Sequence, residues 1–253
     1  MKRFLILCLV LFLVIPLWSQ NADQIVKKAY YKTEGQSQYA YMEMKIIRPS
    51  WTRTIKFKFV SEGTKKALVL ITSPANERGQ TFLLYNNQLW MYNPTINSLI
   101  KLGPSMLSQG WMGSDYSNDQ LLHEGSIIDD YTHKIIGSEQ INGHDCWKIL
   151  LTPKKNSSVV WGKQILWIDK HDFIILKQQL FDQDGYLVKT QTASAVKVMD
   201  GRKIPTVFTV IPNDNPDQKT VMTILQIKFN IRIPKRFFSL QNMRKGLGIN
   251  FNF

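Results

Sequence analysis

From Tyr39 onward, apolar residues in this 253-residue chain recur at every second position. Ala40, Met42, Met44 and Ile46 alternate with Tyr39, Tyr41, Glu43 and Lys45, and Pro49-Ser50 then turns the chain. Over 51–61, Trp51, Ile55, Phe57 and Phe59 share one face while Thr52, Thr54, Lys56 and Lys58 share the other. A period of two is the signature of a strand with one face covered. Residues 66–72 read differently, since Leu68, Val69, Leu70 and Ile71 are apolar on both faces and a strand wet on neither side needs two layers of cover. Short runs at 81–85, 88–92 and 98–102 follow, separated by the turn-forming Asn86-Asn87 and Asn93-Pro94-Thr95. Trp90 and Tyr92 fall on one face of their run, and Leu89 and Met91 on the other.

The second half repeats this grammar at 131–141, 146–153, 163–169, 173–181, 187–199, 203–211 and 220–231. Asn142-Gly143 and the two-residue hairpin signal Asp200-Gly201 punctuate it. Many short strands with only short helices mean a sandwich or a barrel, and no repeat or linker divides the chain. Before the strands, Ile25, Val26, Ala29 and Tyr30 form one stripe at helical spacing opposite Lys27, Lys28 and Lys32, so 23–34 is predicted as a helix ended by Gly35. Asp23 is its first-turn acid or its N-cap. After the strands, Phe237, Phe238 and Leu240 are expected to cover one end.

Between the two strand-rich halves, residues 99–125 read as a lid. Ser117 is the expected N-cap of a short helix, with Gln120 closing a capping box, Tyr116 and Leu121 as the hydrophobic staple, and Asp119 at the positive end of the helix dipole. Gly125 stops it within two turns, and so short a helix takes its order from packing onto something else. Met106, Leu107, Trp111 and Met112 lie just upstream, the Met-rich kind of surface that repacks around varied apolar partners.

The words of this stretch also carry a resemblance. Trp111-Met112-Gly113-Ser114-Asp115-Tyr116 followed by Asp119-Gln120-Leu121 resembles the "GSDF…DL" signature of LolA-like outer-membrane lipoprotein-sorting proteins, with Gln120 where that family more often has an acid. The likeness extends loosely from Ala22 to the Ile233–Phe238 tail. It implies an unclosed antiparallel β-barrel of about 11–12 strands, mainly β, with short helices forming a lid over the concave face and acyl chains held beneath it in the periplasm.

The N-terminus fits that compartment. Met1-Lys2-Arg3 and an apolar run of 15 residues, Phe4 to Trp18, read as a secretory signal peptide over 1–19, leaving 20–253 as one domain. Cys8 is lost with the leader, and the remaining thiol, Cys146, is expected as a small buried hydrophobe. Without Lys2 and Arg3, 30 basic residues face 19 acidic ones, a net charge of +11. Such charge would suggest nucleic acid in the cytoplasm. Beyond the inner membrane, lipid headgroups are the acidic partners, or the lysines simply solvate the outer strand faces.

Catalytic patterns are lacking in the sequence. The four histidines, at 123, 133, 144 and 171, are not spaced as a metal set, and no nucleophile elbow or phosphate-binding loop occurs. The expectation is therefore no enzyme, no cofactor, no metal and no nucleic acid. Phe, Trp and Tyr total 29 with nine Met beside them, enough apolar surface to line a cavity. Phe57, Phe59, Trp90, Tyr92, Trp167 and the lid's Met106, Leu107, Trp111 and Met112 are the expected lining. Arg78 is a candidate to meet a headgroup or to close the lid through Asp115, or else a solvated turn charge. The reading is a monomeric periplasmic carrier that takes lipoprotein acyl chains or other lipids from an inner-membrane donor complex or exporter to an outer-membrane acceptor. The alternatives are a lipid-responsive sensor or adaptor beside a membrane exporter or stress regulator, and a filled β-sandwich without a ligand.

Overall fold

A computed structural model describes residues 21–122, 126–157 and 159–252. The expected leader, Cys8, His123 and the Gly125 cap lie outside the described residues. Helix α1 spans Ala22–Glu34, its N-cap being Asn21, whose side chain accepts from the Asp23 amide, so Asp23 is the first-turn acid and not the cap. Gly35 leaves it at φ +67°. Six strands follow: β1 Ser37–Arg48, β2 Trp51–Glu62, β3 Lys66–Ser73, β4 Thr81–Tyr85, β5 Gln88–Asn93 and β6 Ser98–Lys101. The mid-chain segment holds α2 Pro104–Leu107, a 3-10 turn at Trp111–Gly113, α3 Asn118–Leu122 and α4 Ser126–Asp129. Strands β7 Tyr131–Ile141, β8 His144–Pro153, β9 Lys163–Asp169 and β10 Ile175–Phe181 come next. After them run β11 Leu187–Met199, β12 Arg202–Pro212, β13 Lys219–Phe229 and the short α5 Leu240–Met243.

All thirteen strands form one antiparallel sheet in the order β6-β5-β4-β3-β2-β1-β13-β12-β11-β10-β9-β8-β7. β6 and β7 are its free edges, so the barrel is unclosed. The count exceeds the expected 11–12, and each of the thirteen strands overlaps a strand-like run of the sequence, including the four-residue β6, where Ile100 stands opposite Met91. Tight hairpins set the register. Asn86-Asn87, Asn142-Gly143 and Asp200-Gly201 all take positive φ at both residues, the turn whose twist matches the flanking strands.

Register decides which residues share a face. Ile227, Ala40, Phe59, Val69, Phe82 and Met91 stand opposite one another in turn across β13, β1, β2, β3, β4 and β5. This inner row belongs to one apolar cluster that also contains Trp111 of the lid. The next row, Tyr39, Val60, Leu68, Leu83 and Trp90, points outward and is covered by Phe237, Phe238, Met243 and Ile249 of the C-terminal tail. The two-sided β3 is thereby explained, with the chain's own tail as its second layer. Thr81 donates to the Met243 carbonyl at 3.0 Å and pins that tail.

On the inner side of the other half, α1 buries Ala22, Ile25, Val26, Ala29 and Tyr30 against Ile149, Leu151, Leu166 and Ile168 of β8 and β9. Full burial of an Ile or Val side chain contributes about 1.5–3 kcal/mol, far more than helix propensity supplies per residue. The inner face thus carries two covers, α1 over β7–β9 and the lid over β1–β5.

Candidate functional site

The lid is built around one indole. The chain crosses from Gln109 to Asn118 as a small closed loop, bridged between Gly110 and Ser117, with the Trp111 amide donating to the Tyr116 carbonyl at 2.6 Å. Met112 and Gly113 take φ of +51° and +78°, and the reversal they make sends Trp111 into the sheet. A left-handed Met costs about 1–3 kcal/mol, strain that the surrounding contacts must hold. Gly110 admits no side chain, since a Cβ would lie 2.5 Å from the Ser114 carbonyl oxygen. Trp111 is fully buried and meets Phe57 and Phe82 edge-on at 5.3 and 5.4 Å between ring centroids. Met106, Leu107 and Met112 pack partly buried around it.

Ser117 caps α3 as the sequence implies, its hydroxyl accepting from the Gln120 amide at 3.0 Å. The Gln120 side chain instead reaches across to Gln191 at 3.3 Å, so the capping box is not reciprocal. Ser114 takes up a local turn, accepting from the Tyr116 amide at 3.2 Å.

Asp115 latches this loop to the sheet. Its carboxylate receives two bonds from Arg48 of β1, each 3.0 Å, and one from the Thr220 hydroxyl of β13 at 2.6 Å. Lys189 of β11 donates to its backbone carbonyl at 2.6 Å. Arg48 also donates to the Gly113 carbonyl at 3.2 Å, and Arg53, paired with Glu77, to that of Met112 at 3.1 Å. Burial pushes the Lys189 ammonium down to about 8, although Asp115 and Asp119 pull the other way. Arg78 is exposed and takes no hydrogen bond or ion pair among the described residues, so the lid closes through Arg48. Of the readings open for Arg78, its exposure agrees with a solvated turn charge and not with a lid contact, whereas Arg48 follows Ile46 by two positions and shares its inward parity.

Between lid, α1 and sheet lies a cavity of about 100 Å³. Ala40, Met42, Phe57 and Phe59 of β1 and β2, with Phe208 and Met222 of β12 and β13, make an apolar wall. Gln38, Gln164, Gln178 and Gln191 make a polar one, and Tyr116, Asp119 and Gln120 roof it. Gln164 on β9 and Phe59 on β2 would be roughly 29 Å apart on a flat sheet at about 4.8 Å per strand, so only strong curling brings both to one hollow.

Of the residues expected to line a site, Phe57 and Phe59 lie on the wall of this cavity. Trp90, Tyr92 and Trp167 do not. Trp90 and Tyr92 belong to the outer layer under the C-terminal tail. Trp167 also faces outward, between the inward Leu166 and Ile168, its indole donating to Glu139 at 2.8 Å with Lys148 and Lys177 near its ring. Alternation separates the two faces of a strand without saying which is inner, and here aromatic size was a poor guide. Missed from sequence were Arg48, Lys189 and the glutamines. The available signal was polar residues at inward parity, Lys189 and Gln191 beside Ala193. Cys146 is buried as expected, and burial pushes its thiol up to about 11.

A family model described as "Uncharacterized protein" matches residues 63–245. No curated protein matches the sequence. Among solved structures, a DUF1329 family protein from Desulfovibrio piger superposes with a TM-score of 0.80 at 21% identity, covering 88% of this chain and 97% of its own. A putative outer membrane lipoprotein-sorting protein domain from Vibrio parahaemolyticus gives 0.77 at 20% identity over 88% and 98%. A LolA superfamily protein from Nitrosomonas europaea gives 0.77 at 24% over 87% and 98%. The chain belongs to the family whose model spans 63–245, and its fold is LolA-like.

Proposed function

We propose that this protein is a periplasmic carrier that binds acyl chains of lipoproteins or other lipids under its lid and releases them toward the outer membrane. The observation that carries this reading is the Trp111 plug, an indole on a strained, hydrogen-bonded loop occupying the apolar hollow of a curled sheet. The fold it shares with a putative outer membrane lipoprotein-sorting domain supports the same class of cargo. Pockets that hold drug-sized ligands run to about 300–1,000 Å³, so a cavity of about 100 Å³ is the closed form, and an acyl chain enters where Trp111 leaves. Transfer then follows from a two-state lid, closed on its own tryptophan or open on the cargo. Acyl burial contributes about 0.8 kcal/mol per methylene, enough to hold a lipid anchor without a charged contact.

The test is quenching by acyl chains brominated at mid-chain. Binding should quench protein tryptophan fluorescence saturably at one chain-bearing ligand per protein, and Phe59→Asp should abolish it. Quenching that stays linear in lipid, or is unchanged in Phe59→Asp, would refute the reading.

A further inference from the structure

The cavity is not uniformly greasy. Four strands contribute an inward glutamine each, β1 Gln38, β9 Gln164, β10 Gln178 and β11 Gln191, and the lid adds Gln120. Gln178 and Gln191 are direct cross-strand partners. Gln178 donates to Gln164 at 2.6 Å, and Gln120 to Gln191 at 3.3 Å. Two buried atoms at this end have no partner among the described residues: the Trp161 indole N–H, a donor, and the Gln120 side-chain amide oxygen Oε1, an acceptor. Trp161 is only 7% exposed and lines the cavity. A buried polar atom left unpaired costs free energy, so an unpaired donor and an unpaired acceptor on two residues that line one hollow need an explanation.

Charge narrows what would pair them. The cavity lining includes no Lys or Arg, and its two ionisable carboxyls are Glu34 and Asp119. The nearby cation, Lys189, lies 4.8 Å from the centroid of the Trp161 ring and is already committed to the Asp115 carbonyl. An anionic head here would meet two acids and no free cation. Amide side chains, by contrast, can turn to offer either a donor or an acceptor.

We propose that this glutamine-lined end, with Trp161 and Gln120, is a subsite for an uncharged hydrogen-bonding linkage at the base of the acyl chain. An amide satisfies both unpaired atoms, and an ester or hydroxyl satisfies at least one. Free carboxylates and phosphates are excluded. The proposal rests on the carrier reading and adds a choice of head group to it.

The experiment ranks four ligands with one and the same eighteen-carbon chain on the intact protein by displacement of a fluorescent acyl probe: N-methyloleamide, methyl oleate, oleate and oleyl phosphate. The two uncharged ligands should bind at least tenfold more tightly than the two anions. N-methyloleamide above methyl oleate assigns the subsite to an amide, and the reverse to an ester. Trp161→Phe, which deletes the donor while keeping an aromatic ring, should weaken the favoured ligand five- to tenfold and leave oleate unchanged. Should that variant fail to fold, Gln120→Leu tests the acceptor in the same way, and the wild-type ranking needs no variant. Oleate or oleyl phosphate binding as tightly as the uncharged ligands, or variants losing all four alike, overturns the subsite while leaving the carrier standing. Wild type binding none of the four overturns the carrier reading and the subsite with it.

Discussion

Replacing Trp111 by alanine should tighten acyl binding while weakening the closed lid. The indole is fully buried and stacked edge-on against Phe57 and Phe82. Trp→Ala in a packed core typically costs about 3–5 kcal/mol. Against that, its indole N–H is buried without a partner among the described residues, and such an atom costs about 1–3 kcal/mol. The net preference for closure is then about 2 kcal/mol, so roughly 3% of molecules are open at any moment. A ligand that needs the open form binds about 30-fold more weakly than its intrinsic affinity, and Trp111→Ala removes most of that factor. Trp111→Phe keeps a ring against Phe57 and drops the unpaired N–H, so it should stay closed and bind like wild type. Titration with a fluorescent acyl probe measures the affinities, and hydrogen exchange across 104–122 reports the lid. A Trp111→Ala variant with a protected sheet and a weakened affinity would show that the indole is a wall the ligand needs, which refutes the plug.

Three further outcomes follow from the same geometry. Arg48→Ala strands the Asp115 carboxylate, whose side chain is only 7% exposed, and losing one partner of a buried pair costs about 3–5 kcal/mol; exchange at 109–118 should accelerate, whereas Arg78→Leu should change nothing. Lys189 titrates at about 8 in the folded chain against its ordinary 10.5, so the unfolded chain holds more protons between those values and stability rises with pH there. Cys146 opposes this above pH 9, since its thiol titrates higher when folded, so the measurement is the urea midpoint of wild type minus that of Lys189→Met, which should rise as pH goes from 7 to 10. Trp167→Ala and Trp90→Ala should leave acyl affinity unchanged because both rings face away from the cavity, and a loss like that of Phe59→Asp would contradict the assignment of faces.

Strand positions were legible because alternation and turn chemistry act locally. The pair Asp200-Gly201 makes its hairpin whatever surrounds it, and Phe57 with Phe59 share a face by backbone geometry alone. The capped start of α3 was legible for the same reason, since Ser117 and the Gln120 amide are three residues apart. What long-range packing decides was not. Trp90 and Phe59 look alike in sequence, and only the tail from Phe237 onward, lying on the outer face, settles which of them faces out. Arg48 and Asp115 are 67 residues apart, and no local rule pairs them. Gln164, Gln178 and Gln191 lie on three different strands, and only the curl of the sheet brings them to one hollow with Trp161 and Phe59.

The central claim is that acyl chains occupy the hollow where Trp111 now rests. Native mass spectrometry of the protein released gently from its own cell envelope tests it most directly. The account predicts a population carrying one acylated molecule, its mass lost on collisional activation, and a larger bound fraction in Trp111→Ala. A protein that leaves the envelope bare, and remains bare in Trp111→Ala after exposure to acylated lipids, would contradict it.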